Sequence, residues 1–225
     1  MNWQQQQTQV ALFYKSKILD EKKFLPISTL LDGILSESVD TKGKEINFSL
    51  ISAPIPEDFN VEIIKYTGKN GLRINVGLKR IDLYVTEFDE DKSPKCDLGD
   101  IASKIAAALK ENEIGRVGIV ADMQSDVSKN ESDNILSKYF QKPAFADGDE
   151  VSLSINKRGE LNALTINRIL ELKVKGAVAY CKIDINSLNE EIQSNVIDEK
   201  IIANLSDLVS KIQGKLITSD LDIPF

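Results

Sequence analysis

Apolar and polar residues alternate with period two over residues 71–85. Leu72, Ile74, Val76 and Leu78 fall on one face, and Arg73, Asn75 and Gly77 on the other. After Lys79-Arg80 the alternation resumes at Ile81, Leu83 and Val85, which is a strand, turn, strand pattern. A charged loop over residues 88–95 leads into a helix whose Leu98, Ile101, Ile105 and Leu109 form one apolar stripe. Asp97 stands at its N-cap and Gly115 follows its end. Residues 116–121 then read as a short buried strand. This stretch is the join on which the rest of the chain is arranged.

Upstream, the glutamine-rich residues 1–8 are expected to fray. Residues 10–15 form a strand, and Pro26 opens a helix with Ile27, Leu30, Leu31, Ile34 and Leu35 inward. Residues 41–44 read as a turn, 45–51 and 61–66 as strands, and Gly68-Lys69-Asn70-Gly71 as a hairpin turn. Downstream, residues 122–130 form a polar loop and 132–140 a short helix. Val151, Leu153 and Ile155 alternate into a turn at Lys157-Arg158-Gly159. A long strand over 161–174 breaks near Asn167-Arg168, and a last strand covers 177–185. A final helix carries Ile201, Leu205, Leu208, Val209 and Ile212, capped by Asp198 and stopped at Gly214.

Both halves therefore read strand, helix, strands, helix. The expectation is an α+β fold of two similar units, residues 9–115 and 116–218, each with an antiparallel sheet and helices packed on one face. Residues 219–225 follow as an acidic tail.

Composition narrows the chemistry. The chain has 225 residues, 42% of them apolar, enough for a sizeable core. Histidine is absent, which removes histidine-based nucleophile pairs, metal sites and acid–base catalysis together. The formal net charge of −7 disfavours non-specific binding to duplex nucleic acid. Mean hydropathy is −0.19, and neither a leader nor a spanning segment is legible, so a cytoplasmic protein is expected, with no membrane. Cys96 and Cys181 match no metal or disulfide spacing.

Four features are candidate sites. Acidic loops carry Glu87, Asp89, Glu90 and Asp91, and Asp147, Asp149 and Glu150. Neither has calcium-loop spacing, and both read as solvated charge, so no metal or other cofactor is assigned. Lys79 and Arg80 at one turn, and Lys157 and Arg158 at another, form a candidate anionic-ligand edge; the alternative is charge that protects turns and sheet edges. The polar loop over 122–134 suits either function or helix capping. The chain ends Asp220, Leu221, Asp222, Ile223, Pro224, Phe225.

Two resemblances follow from these residues. GLRINVGLKRIDLYV, IASKIAAALKE, the strand Arg116-Val117-Gly118-Ile119-Val120 and the ending CKIDINSLN with EKIIANLSDLVSKIQGKLIT resemble, over roughly residues 60–220, a sporadically distributed, uncharacterised bacterial and phage protein family. In that family an arginine-glycine strand of the type RxGLRYxN stands where Arg116 stands here, whereas Ala121-Asp122 replaces the aromatic and asparagine. The resemblance implies a fold and no activity. The element order is also similar to the duplicated saddle of the TATA-binding-protein class, an analogy of topology alone. The ending is similar to the acidic tip of bacterial single-stranded-DNA-binding proteins. That resemblance implies partner docking through Asp220, Asp222, Ile223, Pro224 and Phe225; the alternative is a packed tail.

The functional expectation is a non-catalytic intracellular interaction protein of bacterial or phage type. It would bind a protein partner through its acidic surface, and exposed sheet edges would permit a homo-oligomer. The alternative is a nucleic-acid-associated protein, binding single-stranded DNA at the basic turns or recruiting replication proteins through the tip.

Overall fold

The computed structural model describes residues 2–15, 21–38, 41–46, 60–90, 95–109, 114–128, 130, 150–161, 164–188 and 199–217. Nine strands form one sheet: β1 (Gln4–Tyr14), β2 (Thr41–Ile46), β3 (Glu62–Gly68), β4 (Arg73–Gly77), β5 (Arg80–Val85), β6 (Ile114–Asp126), β7 (Glu150–Leu161), β8 (Leu164–Lys175) and β9 (Val178–Ser187). Their order is β2-β3-β4-β5-β1-β6-β9-β8-β7, and every neighbouring pair is antiparallel. Three helices are described: α1 (Phe24–Ser38), α2 (Leu98–Ala108) and α3 (Glu199–Ile217).

This corrects the expected α+β fold of two duplicated, TATA-binding-protein-like units. The protein is mostly β, built on a single continuous sheet. The reason is where β1 lies. Val10 faces Leu83 of β5 on one side and Ile119 of β6 on the other, so the supposed boundary at residue 115 is crossed by a continuous hydrogen-bonded ladder. Chain order shows that strands exist; it does not show which edges meet.

Several boundaries also move. Strand β1 begins at Gln4, inside the stretch expected to fray, and Trp3 is fully buried. The expected turn at 41–44 is strand β2. The first part of the expected loop after residue 121 is the continuation of β6 to Asp126. Lys157, Arg158 and Gly159 are strand residues, and β8 runs unbroken through Asn167 and Arg168. The helix expected over 132–140 and the cap at Asp198 lie outside the described residues.

Other readings hold locally. Asn70 and Gly71 have φ of 58° and 69°, the double left-handed turn that joins antiparallel strands most tightly. A side chain at Gly71 would also meet Thr86 Oγ1 at 2.6 Å. Asp97 caps α2, its Oδ1 accepting from the Asp100 N–H at 3.0 Å.

The sheet has one apolar face, and the described helices lie on it. Tyr66, Ile74, Leu83, Val10, Ile119 and Ile185 stand in one row across six strands, and all are buried. Helix α2 packs over β1 and β5, α3 over β6 and β9, and the two helices touch where Gly99 lies beside Ile202. Helix α1 is tied to β3 by the Tyr66 hydroxyl, which donates to the Ser28 carbonyl at 3.0 Å. No helix among the described residues is long and apolar enough to cross a membrane.

Candidate functional site: the sheet face opposite the described helices

Because side chains alternate, the residues between those core positions project from the opposite face. Across the middle of the sheet these are Arg73 and Asn75 of β4, Arg80, Asp82 and Tyr84 of β5, and Gln9, Ala11 and Phe13 of β1. Beyond them come Arg116, Gly118, Val120 and Asp122 of β6, and Tyr180, Lys182, Asp184 and Asn186 of β9. No described helix covers this face.

Its β5 side carries a polar network centred on Asp82, beside which Asn75 Oδ1 is buried without a partner. Asp82 is 1% exposed, yet its carboxylate accepts from Arg80 Nε at 2.8 Å, Gln9 Nε2 at 2.7 Å and Asn60 Nδ2 at 3.3 Å. A buried charge is tolerated when opposite charge and hydrogen bonds replace its water, as here. Beside it, the Arg73 guanidinium lies 4.4 Å from the Tyr84 ring centre. Burial, with Asp82 adding to it, pushes the Tyr84 hydroxyl above its ordinary range.

Phe13 is the centre of the face. Its ring lies between two guanidiniums, Arg80 at 5.3 Å and Arg116 at 4.5 Å. Gly118 makes room for this arrangement. A Cβ there would sit 3.3 Å from Asn186 Cβ and 3.9 Å from Phe13 Cε2.

The β6–β9–β8 side differs. Arg116 is half-buried, and its Nε has no hydrogen-bond partner. Burial lowers its pKa from the usual arginine value; Asp184 opposes that shift and Arg80 adds to it. Asn186 is 4% exposed and donates to Asp184 Oδ1 at 2.9 Å, but its own Oδ1 is unpartnered, as is that of Asn167 directly across the ladder. Asp122 is held above the ordinary carboxylate range by burial, against the pull of Lys182 and with a push from Glu171 and Asp184.

The residues named from sequence fare unevenly. Lys79 sits in the β4–β5 turn, its N–H donating to Asn60 Oδ1 at 3.0 Å, and Arg80 opens β5. Lys157 and Arg158 belong to the outermost strand, five strands from β5, roughly 24 Å away at ordinary strand spacing. The four do not form one edge. Arg80 is committed to Asp82. Glu87, Asp89 and Glu90 are exposed, and Glu150 pairs with Lys173 at 2.6 Å. Among the described residues no cluster of three acidic, cysteine or histidine side chains could hold a metal ion. Asp91, Asp147, Asp149, Asp220, Asp222, Ile223, Pro224 and Phe225 lie outside the described residues. Cys96 is half-buried, and burial pushes the Cys181 thiol up to about 12, far from the reactive thiolate range.

Sequence reasoning missed Phe13, Arg116, Asp82 and Asn186. One signal was present. On β1 the apolar phase is Val10, Leu12 and Tyr14, and Phe13 is a large aromatic on the opposite phase.

Comparison with protein-family models and with curated proteins finds no match for this chain.

Proposed function

We propose that the chain is a non-catalytic interaction protein that engages a protein partner across the sheet face opposite the described helices. The observation that carries this reading is the one-sided layering: the described helices share one face, while the other displays arginine–aromatic stacks at its centre. Arginine and aromatic side chains are the types that dominate binding energy at protein interfaces. Lys182 faces Asp122 on one side and Glu171 on the other, so opposite charges alternate from strand to strand. Such a surface matches a protein of mixed charge. It repels a phosphodiester chain at every carboxylate, which weighs against the nucleic-acid alternative. The net charge of −7 steers a partner that is basic overall.

The test is quantitative affinity purification with face-specific variants, each checked for an unchanged melting temperature. Val120→Arg and Tyr180→Ala alter this face, and Lys104→Glu alters the exposed side of α2. Partners should be lost with the first two and kept with the third. Retention of the same partners by Val120→Arg, or tight low-salt binding of a single-stranded oligonucleotide, would overturn the proposal.

A further inference from the structure

The three arginines at the centre of the face are used differently. Arg73 stacks on Tyr84, and Arg80 is bonded to Asp82. Arg116 stacks on Phe13 but has no carboxylate within ion-pair distance among the described residues, and its Nε is buried without an acceptor. A half-desolvated guanidinium with no carboxylate at ion-pair distance is costly, and a planar carboxylate satisfies its fork with paired hydrogen bonds.

A second observation lies beside it on the same face. Asn186 is almost fully buried and adjoins Gly118, two residues along β6 from Arg116. Its Oδ1 and that of Asn167 across the ladder both lack a donor. The site thus offers one cation followed by two amide acceptors. A phosphodiester oxygen only accepts, and hydrogen phosphate brings at most a P–OH or two, so neither matches a cation with two amide acceptors as a peptide does. A polypeptide supplies a carboxylate and N–H donors together.

We propose that Arg116 is the anchor through which this face captures an aspartate or glutamate side chain of its protein partner, with N–H groups of the same segment meeting Asn186 and Asn167. This rests on the partner-binding role proposed above. Phe13 stacks 4.5 Å from the guanidinium, and Asp184 on the same face disfavours a multiply charged anion more than a single carboxylate.

The experiment follows the Arg116 Nε–Hε signal of protein carrying ¹⁵N-arginine, assigned by its loss in Arg116→Lys. The probes are the blocked peptide acetyl-Gly-Glu-Gly-amide, its glutamine counterpart and inorganic phosphate. The glutamate peptide should move the signal saturably, and the glutamine peptide several-fold less. No movement with the glutamate peptide, equal movement with both, or a larger response to phosphate would overturn the inference. In the partner assay, Arg116→Gln and Arg116→Lys should each weaken retention by about tenfold, since lysine keeps the charge but loses the fork. If Val120→Arg and Tyr180→Ala release the partner while both Arg116 variants keep it, the anchor fails and the sheet-face role stands. If all four keep it, the sheet-face role itself fails.

Discussion

Arg80 and Arg116 both stack on one phenyl ring, yet they belong to different kinds of surface. Arg80 joins Gln9 and Asn60 in bonding the buried Asp82 carboxylate, although the adjoining Asn75 Oδ1 has no donor. Arg116 stands among groups left incomplete: its own Nε, Asn186 Oδ1 and Asn167 Oδ1. Under the proposed role, this face is structural around Asp82 and binds around Arg116. A satisfied buried ion pair fixes the register of a central strand. A buried polar group left without a partner carries a cost that a ligand's complementary group can remove.

The most damaging way to probe the contrast is Asp82→Ala. It strands Arg80, Gln9 and Asn60 at once, and should cost about 3 kcal/mol in urea denaturation. Loss of under about 1 kcal/mol would mean that the network is peripheral to stability.

Gly118→Ala tests the packing that brings the two sides together. The new methyl would lie 3.3 Å from Asn186 Cβ and would press toward Phe13. A loss of roughly 1–2 kcal/mol is expected, and the ring-current shifts from Phe13 should change with it. Unchanged stability and spectra would show that Asn186 moves aside freely.

The smallest effect is at Asp122. Burial raises its folded-state pKa, so between the unfolded value and the raised one the folded chain holds the extra proton. Stability therefore falls as pH rises through that window. Asp122→Asn should be more stable than the parent at neutral pH, by at most about 1 kcal/mol given its partial exposure. The gain should vanish at acid pH, where both forms are neutral. A neutral-pH loss in urea denaturation would show that Lys182 outweighs desolvation.

Much of the fold was legible locally. Asn70-Gly71 marked the tight turn, Asp97 the cap of α2, and the stripe through Leu205, Val209 and Ile212 the inward side of α3, where Ile202 is fully buried and the expected Ile201 and Leu208 only partly so. The missed strand residues share one cause. Residues 4–9, 41–44 and 122–126 carry mostly polar side chains, so the alternation that identifies a half-buried strand is weak in them. The single sheet could not be read from chain order, because the pairing of β1 with both β5 and β6 joins segments distant in sequence. The site followed the same rule. Arg80 was noticed because it sits at a turn; Arg116, Phe13 and Asn186 became a cluster only when three strands aligned.

The most direct measurement is the difference in unfolding free energy between Arg80→Met and Arg116→Met, taken side by side in urea at neutral pH. Both remove one guanidinium from the same ring and leave a side chain of similar length. Arg80→Met should cost at least about 2 kcal/mol more than Arg116→Met, because it leaves the Asp82 carboxylate buried without its cation. Equal losses would contradict the division of this face into a structural side and an available one.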